Sequence, residues 1–293
     1  MESIDSFSKL FSELRSGSEN KSISPENIFQ EANLENRKIV NSIISQLMKP
    51  SSRIENMESL IALEKLSLQG KSCLILPEHY SNFDLPNLYY LLENSHEKGE
   101  SIANRIVAIA GLKLNEESDF VRAFTEAYSR LVTYPPRSYE KLRKDAGKNA
   151  DELNRARAIN MAALRKMTRM KHNGNIILVY PSGTRYRPGD PSSKRGLKEM
   201  DSYLKVFEYV VFLGMAGNTL RLNTDENEMS RDIPVRDRIV FVASEVCKCS
   251  DFRKEVLEKN TQEELDLKQI VADAIMSRLA TLHNQALSIY AKE

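Results

Sequence analysis

The chain has 293 residues, 41% of them apolar and 28% charged, with Lys and Arg nearly balanced by Asp and Glu. That length and apolar content allow one large or two smaller packed domains and argue against a disordered chain. A net charge of only +1 gives no electrostatic footprint for nucleic acid. Three cysteines without a Cys-x-x-Cys pair fit a reducing compartment and no disulfide framework. The opening Met1–Asp5 carries no apolar run, so no secretory leader is expected. The longest apolar stretch, near Val206 to Ala216, is interrupted by Glu208 and is too short to span a bilayer. A cytoplasmic protein is expected, peripheral at most at the inner face of a membrane.

Ser24-Pro25 reads as a helix start, and Ile28, Ala32, Ile39, Val40, Ile43, Ile44 and Leu47 then recur at helical spacing. Pro50 breaks the pattern. A second helix places Ile54, Met57, Ile61 and Leu68 on one face and stops at Gly70. Residues 1–70 are therefore expected to form a helical N-terminal domain, and 71–293 an α/β domain. The latter begins with Cys73-Leu-Ile-Leu76, an apolar run ended by Pro77 and read as a buried strand. A helix from Asp84 to Leu92 follows, then strands at 105–110 and 130–134, and a long helix from Asp151 to Lys171. Asn173-Gly174 turns into the clearest strand, Ile176 to Tyr180. Strands at 209–213 and 238–242 and helices near Glu255 and from Glu263 to Tyr290 complete the chain. Strands alternating with helices predict an α/β fold with a mixed, largely parallel sheet flanked by helices.

Two segments carry candidate chemistry. Pro77-Glu-His-Tyr-Ser-Asn-Phe-Asp84 sits between a strand end and a helix start. On a continuous helix His79 and Asp84 would lie about 140° apart, whereas a loop can fold the carboxylate back onto the imidazole. Asp84 would then orient His79 and leave its other nitrogen as a proton acceptor. Taken alone, such a spacing is more often incidental than catalytic. Tyr180-Pro-Ser-Gly-Thr-Arg-Tyr-Arg-Pro188 also follows a strand. Gly183 permits an unusual turn, and Arg185 and Arg187 suit a phosphate; a surface turn with solvated arginines is the plain alternative.

In this order, His-x-x-x-x-Asp and then Pro-x-Gly-x-Arg about a hundred residues later, the two segments resemble the glycerolipid acyltransferase superfamily. Val179 to Pro188 looks most like the soluble, plastid-type glycerol-3-phosphate acyltransferases. The resemblance implies an enzyme that moves a fatty acyl group from acyl-carrier protein or acyl-coenzyme A to glycerol 3-phosphate, with no metal or other cofactor. It makes His79 the general base, Asp84 its orienting carboxylate, and Arg185 and Arg187 the phosphate grip, with Ser81 and Gly183 in the binding loops. Glu78 stands where an asparagine is usual. Pro136-Arg137-Ser138 replaces a Lys-His pair, and there Arg137 can supply the positive charge. Lysophosphatidate as acceptor, a thioesterase-like hydrolase, and a non-catalytic lipid- or carrier-binding protein are the rival readings. From Arg137 to Lys171 eleven Lys or Arg face four Asp or Glu. That segment could meet an acidic carrier protein, coenzyme A phosphates or anionic lipid, or be a solvated helix face.

Overall fold

The computed structural model describes residues 12–14, 22–112, 114, 119–144, 149–222, 232–260 and 266–292. The opening Met1–Asp5, the expected helix start at Glu263, and Asp145 and Lys148 of the basic segment lie outside them. The chain divides into two compact units. The larger takes in Ile44–Ile106, Lys171–Asp225 and Asp232–Glu293, and the smaller Met1–Ile43, Val107–Met170 and Glu226–Arg231.

The larger unit is built on a mixed sheet. A central strand, Cys73–Pro77, is buried at every position, as its unbroken apolar run requires. It pairs in parallel with Ile176–Leu178 on one side and with Tyr209–Ala216 on the other. Val240–Ala243 then runs antiparallel to Tyr209–Ala216, and Arg53–Glu55 runs parallel to Val240–Ala243. A short strand, Cys247–Lys248, also pairs antiparallel with Tyr209–Ala216. Helix Met57–Leu68 packs on three of these strands, and helix Leu267–Ala291 on Tyr209–Ala216 and Val240–Ala243. Gly214 is what lets the last helix approach: a Cβ there would lie 2.5 Å from the Cβ of Leu282.

In the smaller unit Ile106–Gly111 pairs in parallel with Arg130–Thr133, and Phe29–Gln30 pairs antiparallel with the latter. Helix Ala150–Met170 packs on Arg130–Thr133 through Leu153, Ala156, Ile159 and their successors at helical spacing. The chain is thus α/β with mixed strand directions and flanking helices.

Several sequence expectations need adjusting. Residues up to 70 are shared between the two units, and they contain the strands Phe29–Gln30 and Arg53–Glu55 as well as helices. The Ser24-Pro25 signal caps a turn, in which Asn27 N donates to Ser24 O, rather than a helix. The first described long helix, Leu34–Leu47, starts at Asn33, whose Oδ1 accepts from Glu35 N and Asn36 N. Ile54 lies in a strand, because left-handed Asn56 (φ 59°) separates it from helix Met57–Leu68. The helix stop at Gly70, with φ +78°, is as read. No helix among the described residues is long and apolar enough to cross a membrane.

Candidate active site

Because Cys73–Pro77 and Ile176–Leu178 are parallel neighbours, the segments that follow them leave the sheet at the same end. That shared end brings Pro77–Asp84 and Tyr180–Pro188 together, although a hundred residues separate them. The Tyr80 and Tyr186 rings meet edge-on with centroids 5.9 Å apart, and two further contacts are made by His79 itself. Tyr186 N donates to His79 O at 2.8 Å, and the Tyr180 ring stacks on the His79 imidazole with centroids 3.9 Å apart and planes 18° apart. The arginines on either side of Tyr186 are therefore one residue from a hydrogen bond to the backbone of His79.

Asp84 folds back as its loop position allows. Its carboxylate is 2% exposed and binds His79 Nδ1 at 3.0 Å. The same oxygen accepts from Tyr80 N at 2.6 Å and Ser81 N at 2.9 Å, and the other accepts from Ser81 Oγ at 2.9 Å. A carboxylate offers only acceptors here, so in the neutral imidazole Nδ1 is the nitrogen that carries the proton and Nε2 the one left to accept. The stacked Tyr180 ring fixes the imidazole plane. Ser81 is fully buried, and its hydroxyl also accepts from Phe83 N, so both its bonds shape the turn around Asp84.

Gly183 adopts φ +63°, and a Cβ there would sit 2.4 Å from Leu197 Cδ1. The tight turn it permits, with Gly183 N donating to Tyr180 O, sends the chain back along the site. Arg185 is 7% exposed, and its guanidinium is paired with Asp232, so its charge is matched inside the protein. Arg187 is exposed. Its backbone N–H donates to Ser193 Oγ at 2.9 Å, which ties it to the turn Pro191–Lys194. Arg137 opens helix Pro136–Lys144 of the smaller unit.

Glu78 and two residues outside both segments, His283 and Lys194, complete the surroundings. Glu78, the departure from asparagine, accepts from Met215 N at 2.9 Å and from Tyr80 Oη at 3.0 Å. His283, on the last helix, puts Nδ1 2.7 Å from Met215 O and 3.2 Å from Glu78 Oε2. Tyr80 Oη lies 3.2 Å from the same nitrogen but gives its own proton to Glu78 Oε1, so all three partners accept and this Nδ1 carries a proton. The hydrogen bond to Glu78 raises the His283 pKa above its ordinary value, against burial and nearby Lys194. Lys194 places its ammonium 4.1 Å from the Tyr186 ring centroid and 6.0 Å from that of Tyr80. Glu78 beside His79 was the only sequence signal for this cluster; nothing local to His283 marks it.

The raised pKa gives the pH prediction. A group whose folded pKa lies above its unfolded value stabilises the fold fully below the unfolded value, and the contribution disappears as pH rises through the folded one. Urea melts should therefore show stability falling as pH rises from just above 6, with that component absent in His283→Leu. An unchanged pH slope in the variant would remove His283 from the account.

The cysteines are poorly suited as nucleophiles. Burial pushes the Cys73 thiol up to about 12 and Cys247 up to about 11, and it raises Cys249 as well. Among the described residues no cluster of His, Cys, Asp and Glu could hold a metal ion. What the arrangement can do is accept a proton at Nε2 of His79 beside an exposed cationic loop. No family model matches the chain, and no curated protein matches it.

Proposed function

We propose that the protein is an acyltransferase that moves a fatty acyl group from acyl-carrier protein or acyl-coenzyme A to glycerol 3-phosphate, giving lysophosphatidate. The observation that carries this reading is the His79–Asp84 pair, at 3.0 Å, held by two direct contacts against the loop bearing Arg185 and Arg187.

A thioester has a good leaving group, so the attacking hydroxyl is the difficult partner. Nε2 of His79 takes the hydroxyl proton as the oxygen attacks the thioester carbonyl. It returns the proton to the departing thiolate sulfur as the carbon–sulfur bond breaks. Asp84 stabilises the imidazolium formed between these events without itself taking the proton. The acceptor's phosphate binds Arg187 and Lys194, two of the exposed cations of the Tyr186–Arg195 segment, and so positions the hydroxyl. Arg185, already matched by Asp232, holds the loop in shape and lends a smaller share of charge.

Purified protein with a panel of thioester donors and phosphorylated alcohols tests the reaction. Acyl product formed only when glycerol 3-phosphate is present supports it; free fatty acid at the same rate without an alcohol would make the protein a hydrolase. Arg187→Ala is expected to raise KM for glycerol 3-phosphate by about 10- to 100-fold, the worth of one charged hydrogen bond, and to leave donor KM unchanged. Steady-state kinetics in both substrates reads this directly, and an effect confined to the donor would remove Arg187 from the acceptor site.

A further inference from the structure

The smaller unit exposes a surface that the proposed reaction does not use. Helix Ala150–Met170 buries Leu153, Ala156, Ile159, Ala163 and Met167 on one side. Met161 on the outer side and Leu164 at the flank, one turn apart, are each 52% exposed, where a solvated helix would carry polar residues. Arg157 and Arg165, both exposed, stand one turn before and one turn after Met161. Helix Pro136–Lys144 has no buried residue and adds exposed Arg137, Lys141, Arg143 and Lys144. The two helices pack together, and Arg157 Nε donates to Tyr139 Oη at 3.4 Å. Between them they hold nine Lys or Arg against three Asp or Glu, a local +6 in a chain whose total is +1.

We propose that this face docks the protein on an anionic lipid bilayer, with Met161 and Leu164 entering the headgroup boundary and the surrounding Arg and Lys meeting lipid phosphates. Charge alone would suit any acidic partner. The pair of large apolar side chains inside a basic surround favours the bilayer, which offers apolar depth directly beneath negative charge. A helix of 21 residues lying flat spans about 30 Å of surface, enough to engage all these groups at once. The inference goes beyond the proposed reaction, and its readout does not depend on catalysis.

Flotation of the full chain with phosphatidylcholine vesicles, with and without about a quarter phosphatidylglycerol, tests it. The wild type should bind the anionic vesicles and release on raising salt. The double substitution Met161→Gln, Leu164→Gln should weaken binding about tenfold, and Arg157→Gln, Arg165→Gln about 25-fold, near fivefold per charge. Lys254→Gln, Lys259→Gln, at exposed lysines in and just after helix Cys249–Glu258, is the charge-matched control and should bind as wild type. All four positions of the test variants are exposed, so thermal melts should be unchanged. Equal binding to both vesicle types, or full binding by the Met161, Leu164 variant, overturns the proposal. So does wild type that ignores vesicles and instead holds an acidic carrier protein through Arg157 and Arg165. Turnover of a short-chain, water-soluble thioester should be the same in every variant, which separates failure of the docking surface from failure of the proposed reaction.

Discussion

Replacing His79 by alanine is expected to lower kcat for acyl transfer by about 10²–10⁴-fold while leaving the fold intact, because a positioned general base contributes on that scale. Each factor of ten corresponds to about 1.4 kcal/mol of barrier. The structural cost is smaller. His79 is 17% exposed, and its removal forfeits one hydrogen bond and one ring stack, while Asp84 keeps Tyr80 N, Ser81 N and Ser81 Oγ. Circular dichroism melts should thus shift by only a few degrees. Wild-type turnover in a folded variant would show that the proton goes elsewhere, and the proposed mechanism would be abandoned.

Asp84 should behave differently, because one carboxylate serves both the imidazole and the turn. In Asp84→Ala two backbone N–H groups and the Ser81 hydroxyl, in a turn whose Ser81 is fully buried, lose their acceptor. At roughly 1–3 kcal/mol for each buried donor left unsatisfied, the three donors give about 3–9 kcal/mol, and the lower part of that range is expected because the exposed side of the turn admits water. Tm should fall by about 10 °C. Asp84→Asn keeps an oxygen for part of the turn, but its amide can donate to Nδ1 and so favours the wrong imidazole tautomer. Its kcat should fall by about 10³–10⁴-fold with a smaller loss of Tm. Differential scanning calorimetry alongside kinetics separates the effects: a fully active, equally stable asparagine variant would leave the carboxylate without an orienting role.

The order of the main strands and helices of the α/β sheet was readable because each carries its own signal. Cys73–Pro77 is apolar at every position, as a strand covered on both faces must be, and helix Ala150–Met170 repeats its buried residues at helical spacing. The short strands Phe29–Gln30 and Arg53–Glu55 carry no such signal. Two or three residues show no period, and their pairing comes from neighbours distant in the chain.

At the candidate site, the sequence offered His79, Asp84 and the turn at Gly183 as candidates through their place after apolar strands, while their roles came from the resemblance of the two segments taken together. Only the tertiary structure decided which charges are available there. Arg185 and Arg187 look alike in sequence, yet Asp232 matches the first inside the protein and the second reaches solvent. Asp232 is 47 residues from Arg185, and His283 is 205 from Glu78. Pairings across such separations depend on the parallel register of the strands and on the close seating of the last helix over Gly214, neither of which is encoded in any local run of residues.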